Sequence, residues 1–212
     1  MTRIILERHG ESMANLNHLY AGQSDCPLSE TGKKQAELAA RALSGEKIDV
    51  IYSSSLSRAY QTALPHAEMR DLEIIKSNDL REIYLGEWEA ASRDFLFENY
   101  PYEAIYIWNN YFGLFRAPGG ESAPAAGDRF YNALLKISQA NPGKTVLVTA
   151  HAAVIRLFYG KVCGYAPHEL AVKIPFSTNA SFSYLDYDGE KFIPLEYSVN
   201  SHIVGVASEI LK

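Results

Sequence analysis

The sequence has few cysteines and no long hydrophobic stretch, and each absence excludes a class of protein. Its 212 residues contain two cysteines, Cys26 and Cys163, so neither a disulfide framework nor a cysteine-rich metal site is expected, and reduced thiols are the simplest interpretation. No run of about 18 apolar residues occurs, which is the length that a helix needs to span a bilayer. We find no internal repeat and no low-complexity segment. A membrane-spanning, disulfide-stabilised or repeat protein is therefore not expected.

Positive charge is also scarce. Lysine and arginine number 20 against 25 aspartates and glutamates, which gives a formal net charge of −5. Nucleic-acid-binding proteins usually present a basic face, so neither a nucleic acid nor a membrane surface is an expected partner. A local cationic pocket is still compatible with this charge. The chain starts with a charged, strand-like segment rather than a basic and then apolar leader. We therefore predict no secretion and a cytoplasmic location.

Apolar runs that alternate with helical patterns predict an α/β fold. The run over 144–149 is nearly continuous, which is typical of a strand in the middle of a parallel sheet. We expect a three-layer sandwich with a mostly parallel central sheet and a terminal hairpin, in a single domain over 1–212. The predicted strands are 2–8, 49–53, 72–76, 144–149, 181–186 and 191–197, and the predicted helices are 11–19, 30–43 (ended by Gly45), 57–66, 122–137 and 154–162.

The character of the sequence changes at about residues 88–124, which are rich in aromatic side chains. The spacing of Tyr102, Tyr106 and Trp108 with Phe112 favours a helix. We predict an inserted helical lobe here. Most of its aromatics are interpreted as packing residues, because aromatics at helical spacing are usually buried. The alternative, that some of them line a substrate pocket, stays open.

The tetrapeptide Arg8-His9-Gly10-Glu11 follows the first predicted strand directly. Ligands of open α/β sheets bind beyond the carboxyl ends of the strands, at a point where the strand order reverses. Arg8 offers a planar fork of donors that matches phosphate oxygens. His9 offers a nucleophile or a proton carrier near neutral pH. Alone, the tetrapeptide is also compatible with a structural histidine, so further residues have to support an active site.

Three further polar residues follow predicted strands in the same way. Arg58 lies in the first turn of the helix after the second strand, Glu82 follows the third, and His151 follows the strongly apolar strand. In a parallel sheet all of them are expected at one edge, together with His9. Two arginines can bind the oxygens of a phosphomonoester, and a neutral imidazole can attack its phosphorus. A carboxyl group can protonate the leaving alkoxide and then activate water. The pattern predicts a phosphate site.

The motifs resemble those of the histidine phosphatase superfamily, in its phosphoglycerate-mutase-like branch. The resemblance extends over most of the chain, and several ordered matches are far more specific than the tetrapeptide. The matching segments are Arg8-His9-Gly10-Glu11 with Asn15, 25–32 with Gln35-Ala36, 52–59 with 61–63, Leu80-Arg81-Glu82-Ile83 with Gly86-Glu87-Trp88-Glu89, Gly119-Gly120-Glu121-Ser122, Arg129, His151 with 154–156, and Asn179.

The resemblance implies a role for each catalytic candidate. His9 is implied as the nucleophile that carries the phosphoryl group. Arg8, Arg58 and His151 are implied to hold the phosphoryl oxygens. Glu82 is implied as the general acid and base, for which its pKa has to be raised by burial or by a nearby negative charge. The implied activity is a metal-independent phosphatase that acts on a small phosphorylated metabolite without a cofactor.

The resemblance also implies residues near the substrate. Asn15 and the loop around Gln23 are implied on the substrate side. The family usually has glycine after the second histidine, where this chain has Ala152. Its methyl group is expected to narrow the pocket. Glycine is also common where this chain has Ala90-Ala91. Neither change removes a reacting group, so activity is expected.

Two other functions stay open. A phosphoglycerate mutase returns the phosphoryl group to another hydroxyl, but the chain is short for such an enzyme and lacks a longer basic insertion after Glu82. A non-catalytic phospho-ligand-binding protein of the same fold is the other alternative. A metal site with His9 and His151 lacks supporting ligand spacing. The oligomeric state is open, with a homodimer as one option. We interpret His66, His168 and His202 as structural or surface residues and hold His18 as a weaker substrate-side candidate.

Overall fold

The computed structural model describes residues 1–203, 205 and 206, and this part of the chain contains one main sheet. Two short strands, β2 and β5, pair with each other, and the remaining six form the sheet in the order β4-β3-β6-β1-β7-β8. In chain order the strands are β1 Thr2–Arg8, β2 Leu19–Tyr20, β3 Val50–Ser54, β4 Ile74–Ser77, β5 Ala91–Ser92, β6 Thr145–Ala150, β7 Phe182–Tyr187 and β8 Phe192–Val199.

Serine caps begin several of the helices. The Ser29 hydroxyl accepts a hydrogen bond from the N–H of Gly32 at 3.0 Å, which satisfies one of the unpaired donors of the first turn. Across the described residues, no helix is both long enough and apolar enough to cross a membrane. The α-helices there are α1 Met13–Leu16, α2 Glu30–Ala42, α3 Ser57–Arg70, α4 Arg93–Asn99, α5 Ala123–Ala140, α6 Ala152–Val162 and α7 Leu170–Lys173.

The four strands β4, β3, β6 and β1 run parallel, whereas β7 and β8 are antiparallel to their neighbours. The chain leaves β1 and next enters the sheet at β3, on the far side of β6. The strand order therefore reverses beside β1, and the carboxyl ends of β1 and β6 meet at this point. Such a reversal opens a crevice at the sheet edge, where ligands of α/β proteins bind.

Alternation along β1 explains the three layers. Ile4 and Leu6 lie in a core cluster with α5 and α6 on one face of the sheet. Ile5 points to the other face, in a second cluster with α2 and α3. Successive side chains of a strand point to opposite faces, so a continuous apolar run supplies both cores. The predicted α/β three-layer sandwich with a mostly parallel sheet is confirmed.

Residues 88–124 form short helical pieces rather than one regular helix. After α4, a π-helix covers Tyr102–Trp108 and a 3-10 turn covers Phe112–Leu114. Leu96 and Phe112 are fully buried in the cluster that contains Ile4. The segment thus shares its core with the main sheet. By contrast, Tyr102 is 61% exposed.

Two local predictions are wrong. The helix predicted over 11–19 is only α1, because Ser12 and Asn15 close a capping box and the chain then extends into β2. The helix predicted to end near residue 66 continues to Arg70, where Asp71 in the left-handed conformation (φ 53°) terminates it. In both cases local capping, rather than the apolar pattern, sets the boundary.

Candidate active site

The reversal of strand order places a cavity of about 400 Å³ at the carboxyl edge of the sheet. His9 follows β1 and His151 follows β6, and their ring centroids are 5.2 Å apart. Of the eight site residues predicted from the sequence, Arg8, His9, Arg58, Glu82, Asn15 and Ala152 line the cavity. Neither His151 nor Gln23 is among its lining residues.

His9 is arranged as a neutral base. Its Nδ1 lies 2.6 Å from the carbonyl oxygen of Gly10. Because a carbonyl only accepts, Nδ1 carries the proton and the lone pair is on Nε2. Burial, helped by the positive charges of Arg58 and Arg8, holds the pKa of His9 well below the usual value for a histidine. The imidazole is therefore uncharged and nucleophilic at neutral pH.

Gly10 and Thr62 hold the backbone beside His9. A Cβ on Gly10 would lie 2.5 Å from the carbonyl oxygen of Gly32, so α2 approaches here more closely than any side chain allows. The N–H of Gly10 donates to the Thr62 hydroxyl at 3.0 Å, and this hydroxyl donates to the Arg58 carbonyl at 2.8 Å. These contacts tie the histidine turn to the first turn of α2 and to the first two turns of α3.

The two arginines are buried against backbone carbonyls. Arg8 donates to the carbonyl of Ser177 and, within the described residues, its Nε has no hydrogen-bond partner. Burial lowers the pKa of Arg8 to about 10, so the guanidinium stays charged at neutral pH. Arg58 donates to the carbonyls of Gly22 at 2.7 Å and Ser24 at 3.0 Å. The loop before α2 therefore orients one of the two cations.

His151 lies beside His9 and is fully buried. Its Nε2 is 2.8 Å from the Ser54 hydroxyl, at the end of β3, and among the described residues its Nδ1 has no partner. With the hydroxyl donating to Nε2, the proton sits on Nδ1. Burial and nearby positive charge, from Arg58 first, keep the pKa of His151 well below its usual value. The ring is a neutral hydrogen-bonding group beside His9.

Glu82 reaches the start of α6 from the loop after β4. Its carboxylate accepts hydrogen bonds from the N–H groups of Ile83 (2.9 Å), Ala153 (3.0 Å) and Val154 (3.1 Å). Burial raises the pKa of Glu82, although these donors and Arg58 favour the charged form. The N–H groups of the first turn of α6, just after His151, are thus already engaged by this carboxylate.

Gln23 contacts the backbone of Glu82 instead of lining the cavity. Its side-chain amide donates to the Glu82 carbonyl at 3.0 Å, and Arg129 donates to the same oxygen at 3.1 Å. Asn15 does line the cavity, and Asn179 donates to both its side-chain oxygen (3.2 Å) and the carbonyl of His9 (3.0 Å). Asn179 thereby links the backbone of His9 to the Asn15 side chain at the cavity wall.

Glu89 was not singled out from the sequence as a site residue, yet it holds two site loops together. Its Oε1 accepts from the N–H groups of Gln23 and Leu85, each at 2.8 Å, and its Oε2 accepts from the Ser24 hydroxyl at 2.6 Å. The loop that orients Arg58 is therefore tied to the loop that carries Glu82. Only the position of Glu89 in a matching motif hinted at this role.

The two alanines that replace expected glycines sit in different environments. Ala152 is the first residue of α6 and lines the cavity. Helical backbone suits alanine, so this position requires no glycine. Ala90 has a φ of 59°, in the left-handed region that glycine favours. The cost of the alanine there is conformational and lies outside the cavity.

The remaining histidines lie apart from the site. His18 and His168 are exposed, and His202 stacks on Phe182. His66 is fully buried with its Nε2 2.9 Å from a Glu7 carboxylate oxygen. Over the described part of the chain, no group of three or more histidine, cysteine or acidic residues is placed to hold a metal ion.

One cavity at this edge is thus lined by a neutral imidazole, two guanidinium groups and a carboxyl group, a combination that is chemically suited to a phosphoryl group. A family model described as the histidine phosphatase superfamily (branch 1) matches residues 4–200. The chain therefore belongs to this superfamily, and the resemblance drawn from its motifs is confirmed.

Individual relatives carry both phosphatase and mutase names. Phosphoserine phosphatase 1 of Hydrogenobacter thermophilus is 35% identical over 204 residues, which cover 96% of this chain and 95% of that protein. The phosphoglycerate mutase of Schizosaccharomyces pombe is 32% identical over 196 residues, covering 88% and 92%. The solved structure of Bacillus stearothermophilus YhfR superposes with a TM-score of 0.90 at 28% identity, covering 96% and 100%. Family and relatives support the phosphoric monoester hydrolase predicted from the sequence.

Proposed function

We propose that this protein is a metal-independent phosphatase that hydrolyses a small phosphomonoester through a phosphohistidine intermediate. The observation that carries the proposal is the state of His9, whose Nδ1 donates to Gly10 and whose Nε2 keeps its lone pair at the cavity. Arg8 and Arg58 supply fixed positive charge beside it. Phosphoryl transfer depends mainly on alignment and charge stabilisation, and these side chains supply both.

In the first step, Nε2 of His9 attacks phosphorus in line and the bond from phosphorus to the alcohol oxygen breaks. Glu82, whose pKa is raised by burial, acts in its acid form and gives its proton to the leaving oxygen. Arg8 and Arg58 neutralise the charge on the phosphoryl oxygens, and His151 donates to one of them from Nδ1. The products are the free alcohol and phosphorylated His9.

In the second step, water attacks the phosphohistidine. The Glu82 carboxylate takes a proton from this water, the phosphorus–nitrogen bond breaks, and inorganic phosphate leaves with His9 neutral again. Asn15 and Ala152 contact the substrate from the cavity wall. Gln23 acts indirectly, because its amide holds the Glu82 backbone at 3.0 Å.

The test measures phosphate release from a chromogenic phosphate ester with a metal chelator present. The wild-type protein is expected to turn over and to form an acid-labile, base-stable phosphoprotein, whereas the His9→Ala variant does neither. His168→Ala, at an exposed histidine away from the cavity, is the matched control. Turnover that survives in His9→Ala contradicts the proposal, and absence of turnover in the wild type favours a phospho-ligand-binding protein.

The mutase relative favours phosphoglycerate mutase as a second candidate. A mutase has to retain a substrate with further anionic groups while the phosphoryl group returns. Among the described residues that line the cavity, Arg93 is the one cation besides Arg8 and Arg58, and most of the outer wall is apolar. We therefore expect the protein to release inorganic phosphate from 3-phosphoglycerate without forming 2-phosphoglycerate. Phosphorus NMR measures both products. Formation of the 2-isomer at a comparable rate decides for the mutase.

The proposal extends to the substrate class, the location and the domain organisation. The substrate is taken to be a small phosphorylated metabolite, because the cavity of about 400 Å³ suits such a molecule. A cytoplasmic location is consistent with two free cysteines. One domain over the chain is consistent with a core shared by the sheet and by residues 88–124.

A further inference from the structure

The outer half of the cavity differs from the phosphate end in composition. Aromatic and aliphatic side chains form most of its wall, in contrast to the arginines and carboxylate within. Its lining residues come from β2, α4, the π-helix and the segment before β7, and those that carry rings are Tyr20, Phe97, Trp108 and Phe176. The sequence alone favoured packing roles for most aromatics of residues 88–124, but Phe97 and Trp108 reach the cavity.

The rings of this wall are held in place by one another. Trp108 makes an edge contact with Tyr20 at a centroid distance of 5.3 Å and stacks on Phe176 at 5.9 Å. The guanidinium of Arg93 lies over the ring of Phe97, 5.0 Å from its centroid. Ring pairs in such geometry stabilise a fixed arrangement. The wall is therefore formed before any substrate enters, so a matching ligand needs little rearrangement to bind.

We propose that the alcohol part of the substrate carries a flat apolar ring that packs against Trp108 and Phe97. This inference rests on the proposed function, because the ring is placed by a phosphoryl group held between Arg8 and Arg58. Removing such a ring from water is favourable, and aromatic walls prefer edge or offset contacts with it. A small polar alcohol such as serine leaves this wall unpaired.

The test compares two esters whose leaving alcohols have similar acidity, 2-phenylethyl phosphate and ethyl phosphate, so that the ring is the main difference. We expect the wild-type kcat/KM for the ring-bearing ester to be higher by roughly tenfold or more, a discrimination that apolar pockets achieve with small groups. O-phosphoserine should be a poorer substrate than 2-phenylethyl phosphate. A ratio of the two kcat/KM values near one, or a preference for O-phosphoserine, overturns this inference. The proposed phosphatase activity would still stand.

Substitutions in the aromatic wall test whether it causes the preference for the ring-bearing ester. Phe97→Ala and Trp108→Leu should each reduce the ratio of the two kcat/KM values severalfold, chiefly through the ring-bearing ester. Phe95→Ala is the matched control, because Phe95 lies on the same helix, is 47% exposed and is absent from the cavity lining. An unchanged ratio in both wall variants contradicts the inference.

A binding measurement on the wild-type protein tests the same inference without any variant, so it does not depend on how well a wall variant folds. In the wild type, benzylphosphonate should inhibit more strongly than methylphosphonate, again by about tenfold. Equal inhibition contradicts the ring subsite. If neither ester is hydrolysed at all, the proposed function fails, and this inference fails with it.

Discussion

The two ends of the cavity are built by different parts of the molecule. The inner end consists of Arg8 and His9 at the end of β1, Arg58 in the first turn of α3 and Glu82 in the loop after β4. The outer end is formed by short helices and loops, in particular by residues 88–124. Strands hydrogen-bonded on both sides hold side chains in one geometry, as phosphoryl chemistry requires. The difference indicates that reaction and selectivity depend on separate elements.

The largest expected effect is on the inner end. Glu82→Gln removes the proton donor and should lower kcat by a factor of about 100 to 10,000, equally for 2-phenylethyl and ethyl phosphate. Burial raises the pKa of Glu82, so the wild-type rate should fall as pH rises through that value, when the acid is lost. The variant should lack this alkaline decline. A pH series of kcat for both proteins measures it.

Glu87→Gln is the control for this substitution. Glu87 is exposed, and its carboxylate accepts from the Tyr100 hydroxyl at 3.0 Å, away from the cavity. It should keep the wild-type rate and pH profile. An alkaline decline that persists in Glu82→Gln would assign the acid to another group.

An intermediate effect is expected at Glu89, which connects the loop before α2 to the loop that carries Glu82. Glu89→Ala removes acceptors for Gln23 and Ser24, which frees the loop whose carbonyls orient Arg58. Hydrogen bonds to a carboxylate are worth about 1.5–3 kcal/mol, so phosphate-like anions should bind about tenfold more weakly. The measurement is the inhibition constant of orthovanadate, together with kcat and KM.

The ratio between the two esters should stay unchanged in Glu89→Ala, because the outer wall is not touched. Glu87→Ala serves as its matched control and should leave vanadate inhibition at the wild-type level. If Glu89→Ala loses stability but turns over like the wild type and is equally inhibited by vanadate, the carboxylate supports the fold and does not position Arg58.

The smallest effect is expected outside both ends of the cavity, at Ala90. Ala90→Gly relieves a left-handed alanine and should raise the free energy of unfolding by about 0.5–1 kcal/mol. Urea denaturation measures this as a higher midpoint at constant slope. Ala91→Gly, one residue on in β5, should destabilise instead, because glycine weakens a strand. Kinetic constants for both esters should be unaffected, and a changed ester ratio would show that this turn contributes to selectivity.

The inner end was easier to predict from the sequence than the outer end. Arg8, His9 and Arg58 follow strands or open a helix, and topology brings such positions to one edge whatever the details of packing. Phe97 and Trp108 have the same helical spacing as buried aromatics such as Phe112, so periodicity does not distinguish a core ring from a wall ring. Gln23 and Glu89 act through backbone groups, which leave no pattern in side-chain type.

By itself, the sequence determined the layered α/β fold, the order of the strands' polar ends and the family, because apolar runs and short motifs are local properties of the chain. Only the tertiary structure decided that the N–H groups after His151 bind Glu82, that His151 is buried beside His9, and which aromatic rings face the cavity. Each of these depends on which atoms of distant segments compete for the same donor or the same space, and such competition arises only once the chain is packed.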